Sequence, residues 1–129
     1  MTILVSELEA DYFNAIVGRR HAAQRPRRIA VRFGDGTEPQ ASECHPNAER
    51  WVKENPDHAV VRGWIMESHS EYCTMLAAHS LVRDAHGDLI EITPLRSVHT
   101  PFLEHVGSDA TFLALLPRFN SIPWPPPTA

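Results

Sequence analysis

Two periods of apolar and polar residues alternate along the chain, and the switches between them outline the elements. Ser6-Glu7-Leu8-Glu9 has the form of a capping box, and Leu8, Tyr12, Ala15 and Ile16 follow at helical spacing. This predicts a helix from about Glu7 to Val17, stopped at Gly18. Ile29 to Phe33 alternates with a period of two and ends at Gly34-Asp35-Gly36, which reads as a strand entering a turn. A second helix is predicted to open near Cys44, where Pro46 suits a first turn. Ala48, Trp51 and Val52 form its apolar stripe, and Asn55-Pro56 ends it. Ala59 to Met66 reads as a buried strand, Glu67 to Glu71 as a polar break and Tyr72 to Val82 as a second strand. A turn at His86-Gly87 leads back through Leu89 to Thr93. A short helix from Asp109 to Leu116, closed by Pro117, completes the pattern. Residues 121–129, with Pro123-Trp124-Pro125-Pro126-Pro127, suit neither helix nor central strand and are expected to form an extended tail.

No repeat and no linker divides the sequence. The expectation is one α+β domain over residues 1–129, with an antiparallel sheet and helices packed on it. At 129 residues, 43% of them hydrophobic, the chain can bury one modest core without metal or disulfide staples. The absence of a long apolar run predicts no membrane span. Met1-Thr2-Ile3-Leu4-Val5 lacks a basic leader, so no signal peptide is expected. Two cysteines, Cys44 and Cys73, do not make a disulfide framework, and a cytoplasmic setting follows as the expectation. A net charge of -4 gives no case for nucleic acid as the main partner. Arg19, Arg20, Arg25, Arg27 and Arg28 cluster around Pro26, either as a solvated connector or as a surface for an acidic protein partner.

The chemistry lies between Gln40 and Pro94. Cys44 is placed at a helix N-terminus, where unpaired N–H groups favour a thiolate and can hold a developing oxyanion. Its neighbours Glu43, His45 and Asn47 are polar, unlike those of a core cysteine, and the Gln40 amide just upstream offers a second donor. Cys73, beside Tyr72 and near Met75, reads as structural. His79 lies on the second strand and Glu91 on the returning one. Whether they meet depends on one turn. If Ala85, His86 and Gly87 form a three-residue connection, Asp84 faces Asp88 and Leu81 faces Glu91. His79 and Glu91 then share a face as diagonal neighbours. With a two-residue loop the parity flips and they separate. Asp84 and Asp88 themselves are explained by turn chemistry.

A cysteine opening a helix, a Gly63-Trp64 strand, an Ala78-His79 strand, then Gly87 and Glu91 ahead of Thr93-Pro94 resembles the papain-like superfamily. The nearest kin by this pattern are the small bacterial transglutaminase-like and NlpC/P60-like domains. The resemblance implies a papain-like fold with Cys44 as nucleophile, His79 as general base and Glu91 as orienting acid. It further implies cleavage or transfer of acyl groups at peptide or amide bonds through a thioester, with no cofactor. Glu91 stands where such families usually carry Asp, Asn or His. Two other readings remain open. One is a non-catalytic binding or adaptor module of the same fold. The other is a metal site built from Cys44, His45, His79, His99 and His105, although no Cys-x-x-Cys or His-Glu-x-x-His spacing is present. His21, His58, His69 and His86 are expected to be solvated.

Overall fold

The long hairpin of β2 (Ala59–His69) and β3 (Thr74–Arg83) forms the spine of the molecule. It pairs from Ala59↔Arg83 to His69↔Thr74, with one irregularity between Met66 and Ser68. The computed structural model describes residues 5–94 and 101–126. In chain order the elements are α1 (Glu7–Gly18), a 3-10 turn (Arg20–Ala22), β1 (Arg27–Arg28), α2 (Cys44–Glu54), β2, β3, β4 (Leu89–Glu91), β5 (Phe102–Glu104), α3 (Asp109–Phe119) and β6 (Ser121–Trp124). The sheet runs β1-β4-β3-β2-β5, and β6 pairs with β3 off this path. This is a single α+β domain. The sheet is mixed rather than antiparallel throughout, because β1 runs parallel to β4 with Arg27 opposite Ile90 and Arg28 opposite Glu91.

Local chemistry explains the helix boundaries. Ser6 and Glu9 close the capping box of α1 reciprocally, at 2.9 and 3.1 Å. Ser108 caps α3 through the Thr111 N–H. Pro117 does not end α3 as expected; the helix continues to Phe119. The strand expected over Ile29–Phe33 is absent. Pairing is confined to Arg27–Arg28, after which the Ile29 N–H still reaches the Glu91 carbonyl at 3.0 Å.

All three helices pack on one face of the sheet. On β3 that face carries Leu76, Ala78, Ser80 and Val82, alternating with Ala77, His79 and Leu81 on the other. Two apolar clusters share the helix side. Phe13, Ile16, Trp64, Leu76, Phe112, Phe119, Ile122 and Trp124 gather beneath α1 and α3. Ala48, Val82, Ile90 and Ile92 gather beneath α2. Phe13 is the centre of the first, its ring about 5 Å from those of Tyr12, Trp64, Phe119 and Trp124. Val61, Leu81 and Phe102 form a third, smaller cluster on the opposite face.

The proline-rich end is extended and packs through Trp124. Residues 121–124 do not trail away; they form β6, pairing from Thr74↔Trp124 to Ala77↔Ser121. Trp124 is buried and its Nε1–H donates to Asn14 Oδ1 at 2.9 Å. Residues 127–129 lie outside the described residues. At Gly63 the backbone of β5 comes so close that a Cβ would sit 2.3 Å from the Leu103 carbonyl oxygen, so only glycine fits there. Among the described residues no helix is long and apolar enough to cross a membrane.

Candidate active site

The site forms where the outer edge of β3 is left unpaired. β6 covers that edge as far as Ala77, the Ala78 N–H still reaches the Asn120 carbonyl at 2.8 Å, and β4 resumes the pairing at Val82, so His79 to Leu81 has a strand partner only in β2. His79 is in this gap, opposite Gly63. The first turn of α2 is brought to the same place by a tight turn in which the Glu43 N–H reaches the Gln40 carbonyl at 3.3 Å. Ser42 in that turn has φ +66, a left-handed conformation unusual for a side chain other than glycine or asparagine.

The β3–β4 connection is the odd-length one. Val82 pairs with Ile90 and Arg83 with Leu89, and the Asp84 N–H reaches the Asp88 carbonyl at 2.9 Å. Asp84 Oδ1 accepts from the His86 and Asp88 N–H groups, both at 2.9 Å, which accounts for the two aspartates as turn residues. His79 and Glu91 therefore share a face, and His79 Nε2 is hydrogen-bonded to Glu91 Oε2. Both residues are almost fully enclosed, at 4% and 3% exposure.

The Glu91 carboxylate is tied back to the helix. Its Oε1 accepts the Thr93 N–H at 3.0 Å, and Thr93 Oγ1 accepts from Asn47 Nδ2 at 2.9 Å. The same Asn47 amide donates to the Gln40 carbonyl at 2.8 Å. Asn47 is one turn along from Cys44, so one buried amide fixes both the acid's strand and the loop that delivers the thiol. Asn47 and Thr93 were not singled out in the sequence. Their signal, an asparagine three residues after the cysteine and a threonine two after the acid, is legible only once the pairing is known.

With Nε2 engaged by Glu91, Nδ1 is the His79 nitrogen left for the Cys44 thiol. The electrostatics agree. Burial works against a charged Cys44, but interactions with the His45 and His79 rings, and the positive charge of His79, outweigh it and bring the thiol from 9.0 down to about 6. For His79, burial likewise opposes charge. Its hydrogen bonds to Cys44 and Glu91, with their negative charges, carry the imidazole from 6.5 up to about 9. Between those values the resting form is thiolate and imidazolium.

Gln40 does not take the place expected of it. Its amide donates to the Glu38 carbonyl at 3.3 Å, and its backbone carbonyl serves Asn47 and Glu43. The N-terminus of α2 carries N–H groups without a side-chain cap. Glu43, the residue preceding the helix, makes no side-chain cap, unlike Ser6 and Ser108 on the other two helices. The Cys44 and His45 N–H groups precede the first intrahelical bond, made by Asn47 to the Glu43 carbonyl at 2.9 Å. Pro46 between them has no N–H to offer.

The remaining histidines have other employment. His105 Nδ1 meets Tyr12 Oη at 2.6 Å, and Tyr12 Oη also accepts from Trp64 Nε1 at 2.8 Å. His58 accepts from Trp51 Nε1 at 3.1 Å and His69 contacts Thr74 Oγ1 at 2.6 Å, so neither is merely solvated. His99 lies outside the described residues. Among the described residues no three His, Cys, Asp or Glu side chains are grouped so as to hold a metal ion. Cys44 and Cys73 are both free thiols. In the arginine cluster, Arg19 donates to the Glu104 carbonyl at 2.7 Å and ties the end of α1 to β5, while Arg20 donates to the Val17 carbonyl at 3.2 Å within the end of α1. Comparison with family models, with characterised proteins and with solved structures returns no match.

Proposed function

We propose that this protein is a cysteine-dependent amide hydrolase or acyltransferase of papain-like type, with Cys44, His79 and Glu91 as nucleophile, general base and orienting acid. The observation that carries this is the buried chain of contacts from a thiol on an uncapped helix N-terminus, through His79, to Glu91. A structural histidine needs no thiol on one side and no enclosed carboxylate on the other.

The chemistry follows from the parts. The Cys44 thiolate attacks an amide carbonyl carbon; an S–C bond forms and the carbonyl pair moves onto oxygen. The Cys44 and His45 N–H groups stabilise that oxyanion. As it collapses the C–N bond breaks, and the imidazolium of His79 gives its proton to the departing nitrogen. His79, now neutral, takes a proton from water or an acceptor alcohol or amine. That nucleophile adds to the thioester, the S–C bond breaks and the thiolate returns. Glu91 holds the His79 tautomer throughout and stabilises its charge.

The test is the alkylation rate of Cys44 against pH, followed by peptide mass spectrometry, with Cys73 measured alongside. The wild type should titrate near 6, and His79→Ala should return Cys44 toward the free-thiol range of about 8.5. A panel of amides and thioesters should then show turnover that Cys44→Ala abolishes and His79→Ala lowers roughly 10²–10⁴-fold. A Cys44 that titrates as an ordinary thiol and ignores His79 would sink the proposal and leave a binding module of the same fold.

A further inference from the structure

A buried arginine on β2 has no role in the chemistry so far. Arg62 follows Val60-Val61 in an apolar strand and is only 5% exposed. It lies on the helix side of the sheet between the two main apolar clusters. Its guanidinium is fully engaged there: Nη2 with Glu49 of α2 at 2.6 Å, Nε with Asp109 of α3 at 3.3 Å, and Nη1 with Ser80 Oγ at 2.8 Å. Holding two helices to the sheet would explain the two carboxylates. It does not explain why the third arm ends on Ser80, one residue after His79.

Ser80 Oγ also meets His45 Nδ1 at 2.6 Å. Because Arg62 is always a donor, Ser80 accepts from it and retains its own hydroxyl proton. Ser80 is enclosed, and His45 Nδ1, 2.6 Å away, is the acceptor at hand for that proton, so Ser80 is taken to donate to Nδ1. That fixes the neutral His45 ring as the tautomer protonated on Nε2. The Phe112 ring, its centre 6.0 Å from that of the imidazole in an edge-on arrangement, lies against it from the α3 side. His45 directly follows Cys44 in the first turn of α2, and its ring is among the groups that draw the thiol pKa down; Nε2–H is the donor this tautomer leaves for the thiolate.

We infer that His45 is a second imidazole of the site: a neutral N–H donor to the Cys44 thiolate, held in that tautomer by the Ser80–Arg62 arm. This rests on the thiol-enzyme reading and deepens it. Cys44 is then flanked by two histidines in different roles. His79, backed by the Glu91 carboxylate, carries charge and moves protons. His45, backed by a hydroxyl that is itself polarised by a cation, donates one hydrogen bond and keeps its proton. The charged groups facing this pocket are His79 from β3, Arg62 from β2, Glu49 from α2 and Asp109 from α3, with Glu91 behind His79. The opposite backing of the two rings, anionic for one and cationic for the other, is the juxtaposition that separates their roles.

Two measurements on the full chain test this. The first is the pH profile of Cys44 alkylation in His45→Gln, Ser80→Ala and His79→Ala, each checked for folding by circular dichroism. Loss of one donor should raise the Cys44 midpoint by about one unit, roughly tenfold less thiolate at a fixed acidic pH, in both His45→Gln and Ser80→Ala. A wild-type midpoint in the acid range that His79→Ala moves, but that neither His45→Gln nor Ser80→Ala moves, would overturn the inference and leave the nucleophile intact. A wild-type Cys44 with an ordinary thiol midpoint would remove the nucleophile and His45 together. The second measurement is the nitrogen spectrum of ring-labelled histidine, which does not depend on any variant folding. His45 should show a protonated Nε2 and a bare Nδ1 at neutral pH; a proton on Nδ1 would overturn the inference.

Discussion

Two residues with opposed shifts make a pH prediction that neither makes alone. His79 is raised from 6.5 to about 9, so its contribution to stability is complete below 6.5 and lost as pH rises through about 9. Cys44 is depressed from 9.0 to about 6, so its contribution is complete above 9 and lost as pH falls through about 6. Between 6.5 and 9 the folded state binds one proton more than the unfolded at His79 and one fewer at Cys44. The slopes cancel, and this pair should add almost no pH dependence in that window. Cys44→Ser removes the rising half and leaves Glu91 to hold the His79 proton. Its urea midpoint, compared with wild type at each pH, should fall progressively as pH increases above 6.5. A constant difference from pH 6.5 to 9 would mean that Cys44 enters folded protein as an ordinary thiol.

At the scale of elements, what the sequence reveals depends on whether a rule acts locally. The capping box of α1 and the odd turn before β4 are local, and the parity of one three-residue loop was enough to put His79 and Glu91 on a common face. β1 is only two residues long and its partner is parallel, so the alternation of Ile29–Phe33 pointed to a strand that tertiary packing did not grant. Proline disguised β6, which runs along the outer edge of β3 where a missing N–H is tolerated. Gln40 was assigned by proximity in sequence, and the turn at Ser42 directs its amide elsewhere. The Asn47 contact is the element-level join, because it links the loop before α2, α2 itself and the end of β4. Asn47→Ala leaves the buried Thr93 hydroxyl without that donor and the Gln40 carbonyl with the Glu43 N–H alone, a loss of about 1–3 kcal/mol. It should also loosen the position of Cys44 relative to His79. The expected result is a lower urea midpoint together with a Cys44 alkylation midpoint displaced upward from about 6. Destabilisation with an unchanged alkylation midpoint would show that α2 is placed by its apolar stripe alone.

Across the whole molecule, the two main clusters on the helix side have different duties. The one beneath α2, with Ala48, Val82, Ile90 and Ile92, supports Cys44 and the strands that carry His79 and Glu91. The one beneath α1 and α3 supplies most of the buried aromatic surface and reaches the end of the described chain at Ile122 and Trp124. Arg62 stands between them and is the charged residue that both sides touch, through Glu49 and Asp109. That division predicts how damage to one cluster spreads. Trp124→Ala removes a buried ring whose centre lies 5.2 Å from that of Phe13, together with the hydrogen bond to Asn14, and should cost about 3–5 kcal/mol. Against a typical total of about 5–15 kcal/mol this is a large fraction, visible as a marked fall in the urea midpoint. The groups nearest Cys44 in charge and hydrogen bonding, His45 of α2 and His79 of β3 backed by Glu91 of β4, do not touch Trp124, so the molecules that remain folded should still alkylate with a midpoint near 6. If Trp124→Ala instead moves that midpoint as far as His79→Ala does, the two clusters act as one. The gap at His79–Leu81, bounded by β6 on one side and β4 on the other, would then be held open by β6 as much as by the helix that fills it.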